Sequence, residues 1–249
     1  MRLETLDVEL AGLAPELEGL RIAHLSDPHL GMPGRSEHAV ARAVDWVEER
    51  QPDLTLLTGD LLTRASGEAT LRRILPRLPR AYAILGNHDL AISRDPFVER
   101  TFVEDLSPVR LLSDEGVTLE VRGRRVYIAG ADPRSKWVRS RRQPQELVVA
   151  RDEADLRILL VHYPELVDDV APGAFDLVLT GHMHDGQICV PYPGGKLRLA
   201  HLDARYTRGL YRTDAGVMHV SAGLGTTFVP FRFAARPAAT ELVLQGGSR

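Results

Sequence analysis

Histidine, aspartate and asparagine side chains that could bind a metal ion stand at the ends of several apolar stretches of this chain. The segment LTGHMHDGQICVP (179–191) shows the pattern most densely, with His182 and His184 separated by one residue, flanked by glycines and followed by Asp185. Histidines this close in sequence indicate either a metal site or the chance composition of a loop. Whether this segment is a metal site, and whether Asp185 takes part in its chemistry, depends on what the rest of the chain contains.

The apolar stretches themselves are typical of strands that are buried on both faces, because they contain few polar residues. They are RIAHLSD (21–27), DLTLLTGD (53–60), AYAILGN (81–87), RRVYIAGAD (124–132), LRILLVH (156–162) and DLVLTGH (176–182). Amphipathic helices are predicted over 36–50, where Ser36 is the capping residue, and over 68–78, 95–106 and 164–171. Turn glycines in the last fifty residues predict an antiparallel part of a sheet. The pattern therefore predicts an α/β layered fold.

Five of these strand candidates end in residues that can bind a metal. In open α/β sheets ligands gather at the carboxyl ends of the strands, so we expect these side chains to converge. Imidazole, carboxylate and one amide oxygen suit Mn²⁺, Fe or Zn²⁺ better than Ca²⁺, and the lack of thiolates argues against a structural zinc site. Seven candidates exceed the needs of one tetrahedral ion and fit two ions that share a carboxylate. The candidates are Asp27, His29, Asp60, Asn87, His162, His182 and His184.

The ordered motifs SDPHLG, TGD, GNHD, LLVHYP and GHMHDGQ resemble those of the calcineurin-like metallophosphoesterases. The resemblance covers roughly residues 20 to 235, because the later RGLYR and VSAGLG segments are similar to one bacterial branch of that family. The branch includes envelope-associated phosphatases and UDP-diacylglucosamine pyrophosphohydrolases. The resemblance implies a four-layer α-β-β-α sandwich of two mixed sheets with flanking helices.

The resemblance also implies roles for individual residues. The first metal would be held by Asp27, His29, Asp60 and His184. The second would be held by Asp60, Asn87, His162 and His182, with Asp60 bridging the two ions. A metal-bridging hydroxide would attack phosphorus, and His88 would act near the leaving oxygen as a general acid or as a stabilising cation. The cofactors implied are two divalent transition-metal ions, with Mn²⁺ preferred and Fe or Zn²⁺ as alternatives.

Two residues depart from the pattern of the family. Pro28 stands where an aliphatic residue is usual, which a loop leaving a strand can tolerate. Asp185 replaces a glycine of the branch. If that glycine has a positive φ, aspartate is among the less costly replacements; Asp185 could instead accept a hydrogen bond from His184. We favour the backbone role.

The implied activity is that of a metal-dependent phosphoric ester or anhydride hydrolase. The substrate is a phosphorylated small molecule or a lipid-linked one, with a UDP-sugar lipid or another envelope-related compound as the leading candidate. The alternatives are a broad-specificity phosphodiesterase or phosphomonoesterase acting on nucleotides, and a non-catalytic scaffold of the same fold. A scaffold would be expected to lack ligands, whereas all seven positions are filled here. The sequence identifies no substrate-binding residue.

Bulk composition sets further limits. The 249 residues, with no internal repeat or low-complexity linker, predict one domain over 1–249. A net charge of −3 indicates no general attraction to nucleic acid. The single Cys189 excludes an intramolecular disulfide. Without an apolar run of about 18 residues or a signal-like start, we expect a cytoplasmic protein. For the basic loop 134–142 we favour a solvated loop; the alternatives are binding of an anionic substrate and peripheral contact at the inner membrane.

Overall fold

Two six-stranded mixed sheets form the centre of the structure, a computed structural model that describes residues 1–34, 36–99, 103, 105–135, 147, 153–200 and 202–247. The strands of the first sheet are β1 (Arg2–Ala11), β2 (Arg21–Leu25), β3 (Leu54–Thr58), β4 (Ala81–Ile84), β5 (Arg110–Leu111) and β14 (Ala238–Gly247). Their order is β1-β14-β2-β3-β4-β5. Strands β2 to β5 are parallel to one another, whereas β14 runs antiparallel to β2 and parallel to β1.

The second sheet also has a core of parallel strands, and the strand at each of its edges is antiparallel to its neighbour. Its strands are β6 (Glu115–Val121), β7 (Arg124–Gly130), β8 (Leu156–Leu160), β9 (Leu177–Thr180), β12 (Gly209–Arg212) and β13 (Val217–Val220). They lie in the order β12-β13-β9-β8-β7-β6, with β7, β8, β9 and β13 parallel. The antiparallel pair β12–β13 confirms the prediction for the C-terminal region. A separate hairpin joins β10 (Cys189–Tyr192) to β11 (Gly195–Arg198).

Helices cover the outer face of the first sheet. Helix α1 (Ser36–Arg50) buries its apolar stripe, which includes Val40, Val44 and Val47, against that face together with α2 (Glu68–Ile74). The outer face of the second sheet is covered in part by a 3-10 helix, Pro164–Asp169. Further 3-10 turns span Pro15–Leu17, Ala65–Gly67 and Leu75–Arg77. The fold class predicted from the sequence, two mixed sheets with flanking helices, is confirmed.

The predicted helix over 95–106 is absent from the described residues of that range. The carboxylate of Asp95 is buried and accepts hydrogen bonds from the backbone amides of Phe97 and Phe228. An aspartate that binds nearby amides in this way stabilises a turn in competition with a helix. The prediction of a helix here was wrong, because the apolar spacing of the segment shows neither this local turn at Phe97 nor the contact with the distant Phe228.

The basic loop 134–142 lies mostly outside the described residues. Of its cations, Arg134 is described, and its guanidinium pairs with Asp132 at 2.6 Å. Among the described helices, none is long and apolar enough to cross a bilayer.

A buried pair of histidines joins the two sheets. His24 on β2 and His219 on β13 place their Nδ1 atoms 2.7 Å apart. Because Thr58 donates to Ser26, its hydroxyl oxygen accepts from Nε2 of His24 at 2.9 Å. Nδ1 of His24 is then the acceptor and His219 the donor, so the His24 ring is neutral with its proton on Nε2. His24 is therefore a hydrogen-bonded histidine of the core.

This pair should make the fold sensitive to acid. Burial lowers the pKa of His24 well below its usual value, and burial together with the charge of Arg208 lowers the pKa of His219 to about 3. Both rings stay neutral in the fold while the unfolded chain binds protons below pH ~6.5, so stability is lost as the pH falls from there.

We predict that His219→Gln flattens this dependence. Removing one such histidine should reduce the difference in unfolding free energy between pH 7 and pH 5 by about 2 kcal/mol. The measurement is chemical denaturation of the metal-free protein at the two pH values. His38→Gln is the control, since His38 is exposed on α1. An unchanged pH difference in His219→Gln would show that the pair does not titrate as described.

Candidate metal centre

The seven predicted ligands come together where the parallel strands of both sheets end. Asp27 and His29 follow β2, Asp60 follows β3, and Asn87 follows β4. On the second sheet, His162 follows β8, while the loop after β9 supplies His182 and His184. These side chains include two groups, and within each group the possible ligand atoms lie within 4.8 Å of one another. Asp60 belongs to both groups. Every predicted ligand except His182, which is partly exposed, is buried.

The first group consists of Asp27, His29, Asp60 and His184. Nε2 of His184 lies 3.5 Å from Oδ1 of Asp27 and 3.1 Å from Nε2 of His29. Nε2 of His29 is 3.5 Å from Oδ2 of Asp60. The other ring nitrogen of His29 is hydrogen-bonded to the hydroxyl of Thr63 at 2.9 Å, which orients the ring toward the group.

The second group consists of Asp60, His162 and His182, with Asn87 beside them. Nε2 of His162 lies 3.3 Å from Oδ2 of Asp60, 3.0 Å from Oδ1 of Asn87 and 3.3 Å from Nδ1 of His182. The structure thus brings Asn87 next to the second group, as the sequence predicts.

Asp60 is the centre of both groups. Its Oδ2 faces His29 and His162, while Oδ1 accepts the backbone amide of His88 at 2.8 Å. Burial alone would raise the pKa of Asp60, but the neighbouring His162 and its hydrogen bond outweigh burial and hold that pKa well below its usual value. A carboxylate kept ionised between two sets of donors has the properties required of a bridging ligand.

The donor set fits cations and little else. Nδ1–H of His162 donates to the carbonyl of Thr58 at 2.8 Å, so in the neutral ring Nε2 carries only a lone pair. That lone pair faces Oδ2 of Asp60 and the amide oxygen of Asn87, and acceptors that face each other repel unless a cation lies between them. Burial would lower the pKa of His162, but the charge of Asp60 overcomes this and raises it to about 9. The group therefore attracts positive charge, and imidazole with carboxylate suits divalent transition metals.

A second buried carboxylate adds to this demand for positive charge. Burial raises the pKa of Asp27 to about 6, with the nearby charge of Asp60 contributing and His162 opposing. The side chain also accepts the backbone amide of His182 through both oxygens, at 3.0 and 3.2 Å. Asp27 thereby ties the loop after β9 to the loop after β2.

Five of the seven candidate ligands have a left-handed backbone, which the sequence did not predict. A positive φ costs a residue with a side chain about 1–2 kcal/mol and clusters at functional sites. Backbone hydrogen bonds offset the cost: the amide of His29, for example, donates to the carbonyl of Asp60 at 3.0 Å. The five residues, with φ between 45° and 69°, are Asp27, His29, Asp60, His182 and His184.

Two glycines permit the close approach of these loops. A Cβ on Gly181 would lie 2.5 Å from Oδ2 of Asp27, and a Cβ on Gly86 would overlap the carboxylate of Asp60. The glycines of the TGH and GNHD motifs are thus required by packing around the carboxylates.

His88 is held by residues that the sequence analysis missed. Its Nε2 lies 3.0 Å from the hydroxyl of Ser93 and 3.3 Å from that of Thr227, and Thr227 donates to Asp95 at 2.7 Å. Among the described residues, Nδ1 of His88 is buried and has no hydrogen-bond partner. Nδ1 is therefore the ring nitrogen whose hydrogen-bonding capacity the described residues leave unused. No motif marks Ser93, Asp95 or Thr227 in the sequence.

Arg232 is a further residue that was missed. Its guanidinium donates to the backbone carbonyls of His184, Ala222 and Gly225, and its Nη2 lies 2.8 Å from Nδ1 of His184. Burial lowers the pKa of Arg232 to about 10. These contacts hold both the backbone and the ring of His184.

Asp185 has the backbone geometry that its replacement of glycine suggested, with φ of 53°. Its buried carboxylate does not face His184. It forms a short ion pair with Lys196 and a hydrogen bond with Nε of Arg198 at 3.3 Å. Asp185 therefore links the loop after β9 to the β10–β11 hairpin.

A cavity of about 620 Å³ opens above the two groups. Its polar floor includes Asp60, Asn87, His88, His182 and His184. Most of the wall is apolar, with contributions from Ile92, Tyr163, Ile188, Leu199, Phe228 and Val229. A bound molecule would meet charge at one end and apolar side chains along its length.

Comparison with known proteins places these features in one family. The family model described as calcineurin-like phosphoesterase matches residues 20–186, about two thirds of the chain. The chain is 27% identical to the metallophosphoesterase YkoQ of Bacillus subtilis, covering 96% of this chain and 89% of YkoQ. It is 27% identical to YkuE, a metallophosphoesterase of the same organism, covering 92% and 80%. The phosphodiesterase YaeI of Escherichia coli is 26% identical, covering 79% and 72%.

We predict that Asp60→Asn weakens metal binding at both groups. Wild-type protein reconstituted with Mn²⁺ should hold about two ions per chain, and the variant should lose both together because the groups share this carboxylate. Elemental analysis after gel filtration measures the content. Asp45→Asn is the control, because Asp45 lies exposed on α1, where it pairs with Arg77 outside the two groups. Normal metal content in Asp60→Asn would contradict the shared role.

Proposed function

The chain belongs to the calcineurin-like phosphoesterase family, and we propose that it hydrolyses a phosphate ester or pyrophosphate that carries an apolar group. As a member of that family it is a metal-dependent phosphoester hydrolase. A UDP-sugar lipid is the leading substrate candidate, and Mn²⁺ is the preferred metal, with Fe or Zn²⁺ as alternatives. The observation that carries the proposal is the shared Asp60 carboxylate on the floor of a largely apolar cavity.

The two groups are suited to chemistry at phosphorus. Two divalent ions, when bound, would make water more nucleophilic and offset the negative charge of the phosphoryl group. In the proposed assignment Asp27, His29 and His184 would hold one ion, Asn87, His162 and His182 would hold the other, and Asp60 would be shared by both. The left-handed backbones and the hydrogen bonds of Asp27 and Asp60 fix these side chains before any substrate binds, which avoids reorganisation during the reaction.

His88 is proposed to act on the leaving oxygen. Ser93 and Thr227 occupy its Nε2, and His88 lines the cavity, so we assign the role to Nδ1, which has no hydrogen-bond partner among the described residues. In the protonated ring Nδ1–H would donate to the oxygen that leaves phosphorus. Asp95 acts through Thr227 as a positioning residue and supplies a negative charge near the ring.

The wall of the cavity supports a substrate with an apolar part. Ile92 and Phe228 at the cavity are each about half exposed, at 51% and 50%. Solvent-exposed apolar side chains beside a polar floor are expected where a ligand covers them. A broad-specificity phosphodiesterase or phosphomonoesterase acting on nucleotides is the second candidate, favoured by the similarity to YaeI, which is named a phosphodiesterase.

A substrate panel in the presence of Mn²⁺ tests the proposal. It should contain an aryl phosphomonoester, an aryl phosphodiester, cyclic nucleotides and a UDP-diacylglucosamine. We expect hydrolysis of the lipid-linked pyrophosphate with the highest kcat/KM, and no hydrolysis after chelation. Preference for cyclic nucleotides would favour the second candidate, and no hydrolysis of any member by the Mn²⁺-loaded protein would contradict the proposal.

We predict that Thr227→Val lowers kcat without changing metal content, because it removes the link between His88 and Asp95. The loss should be about tenfold, less than the roughly 100-fold expected from loss of the acid itself. Thr227→Ser should restore the activity. Thr226→Val is the matched control, since the Thr226 hydroxyl is buried with no partner among the described residues. Equal losses in the two valine variants would mean that Thr227 acts only through packing.

A further inference from the structure

A small sheet beside the cavity has its apolar face turned to solvent. The hairpin β10–β11 is extended on one side by the segment 231–233, because the amide of Cys189 donates to the carbonyl of Phe233 at 2.9 Å. The amide of Phe233 in turn donates to the carbonyl of Gln187 at 3.0 Å. Phe233 thereby forms a parallel β-bridge with Ile188. Three short stretches of chain thus lie side by side.

The register places one apolar set on the outer face of this sheet. Val190 lies opposite Leu197, and side chains two residues apart in a strand point to the same face. Phe233 shares the face of Ile188 through the parallel bridge. Six of these side chains, between 47% and 57% exposed, form what we call the apolar platform: Val190, Tyr192, Leu197, Leu199, Phe231 and Phe233.

The polar side chains of the hairpin face inward instead. Lys196 and Arg198 bind the buried carboxylate of Asp185, and Cys189 is buried beside them. This pattern is the reverse of that expected for a solvent-exposed hairpin, where polar residues face water. Because the ion pairs to Asp185 fix which face is outward, the exposure is built into the structure. Contiguous apolar surface of this kind marks a site of interaction.

The charges around the apolar platform indicate what it binds. The stretches 186–202 and 223–240, which supply it, contain no aspartate or glutamate. Among their cations, Lys196 and Arg198 bind Asp185, and Arg232 is held by backbone carbonyls beside His184. The exposed cations are Arg236 and, at the adjoining cavity, Arg94. A second copy of the same face would bring like charges together, whereas an anionic lipid surface complements both the apolar and the cationic residues.

We propose that the apolar platform docks this protein on the surface of an anionic lipid bilayer. The aromatic and aliphatic side chains would enter the interface while the exposed Arg94 and Arg236 meet the headgroups. Leu199 belongs both to the apolar platform and to the wall of the metal cavity, so docking turns the mouth of the cavity toward the bilayer. The docking surface goes beyond the proposed function and does not depend on which phosphoester is cleaved.

Vesicle co-sedimentation of the full chain tests this surface. Wild-type protein should bind phosphatidylcholine vesicles that contain phosphatidylglycerol and should bind pure phosphatidylcholine vesicles less. The double variant Leu197→Ser/Phe233→Ser should bind at least about tenfold more weakly, since it removes two apolar groups from the interface. Tyr192→Ser, at the exposed end of the hairpin, should weaken binding in the same direction. Leu3→Ser is the control, because Leu3 is 37% exposed on β1 and lies outside the apolar platform.

Circular dichroism and hydrolysis of a soluble aryl phosphodiester show whether each variant is folded. Binding is read without turnover, so protein that binds vesicles but cleaves nothing would contradict the proposed function and leave the docking surface intact. Wild-type protein that ignores both vesicle types would overturn the docking proposal, as would unchanged binding by folded Leu197→Ser/Phe233→Ser and Tyr192→Ser. A dimer in sedimentation equilibrium that the double variant dissociates would assign the surface to a second copy and overturn it too.

Discussion

The structure depends on one buried carboxylate, that of Asp60, which faces histidines from both sheets. Its Oδ2 lies 3.5 Å from His29 on one side and 3.3 Å from His162 on the other. A buried charge is tolerated only where it is paired. The pairing here consists of imidazoles whose lone pairs also need a cation. Divalent ions at both groups would satisfy the carboxylates and the rings together, at the junction of the two sheets.

The rest of the fold holds this junction in place. Parallel strands deliver the loops from both sheets to one edge, and glycines let the loops approach the carboxylates closely. Beneath the site, His24 and His219 join the sheets through neutral rings. Beside it, Asp185 joins the loop after β9 to the hairpin that carries the apolar platform. The left-handed backbones of the ligand loops are thus supported by contacts on several sides.

Much of the site could be predicted from the sequence because its ligands follow apolar strands. The buried strands leave a clear signal, and a polar residue such as Asp60 directly after one of them is conspicuous. Asp95 and Thr227 leave no such signal, since they meet only through tertiary structure and stand 132 residues apart in the chain. Asp95 also accepts the amides of Phe97 and Phe228, and the described residues of 95–106 form no helix. From the sequence, Leu197 looks like an ordinary strand residue. The alternation of polar and apolar residues in the hairpin does not show which face is outward, because that depends on the ion pairs of Lys196 and Arg198 with Asp185.

The central claim is that two metal ions share Asp60. A crystal structure of Mn²⁺-loaded protein with anomalous data measured at the manganese edge tests it most directly. We expect two anomalous peaks about 3.5–4 Å apart, with the Asp60 carboxylate between them and His29 and His162 on opposite sides. A single peak, or two peaks of which one does not contact Asp60, would contradict it.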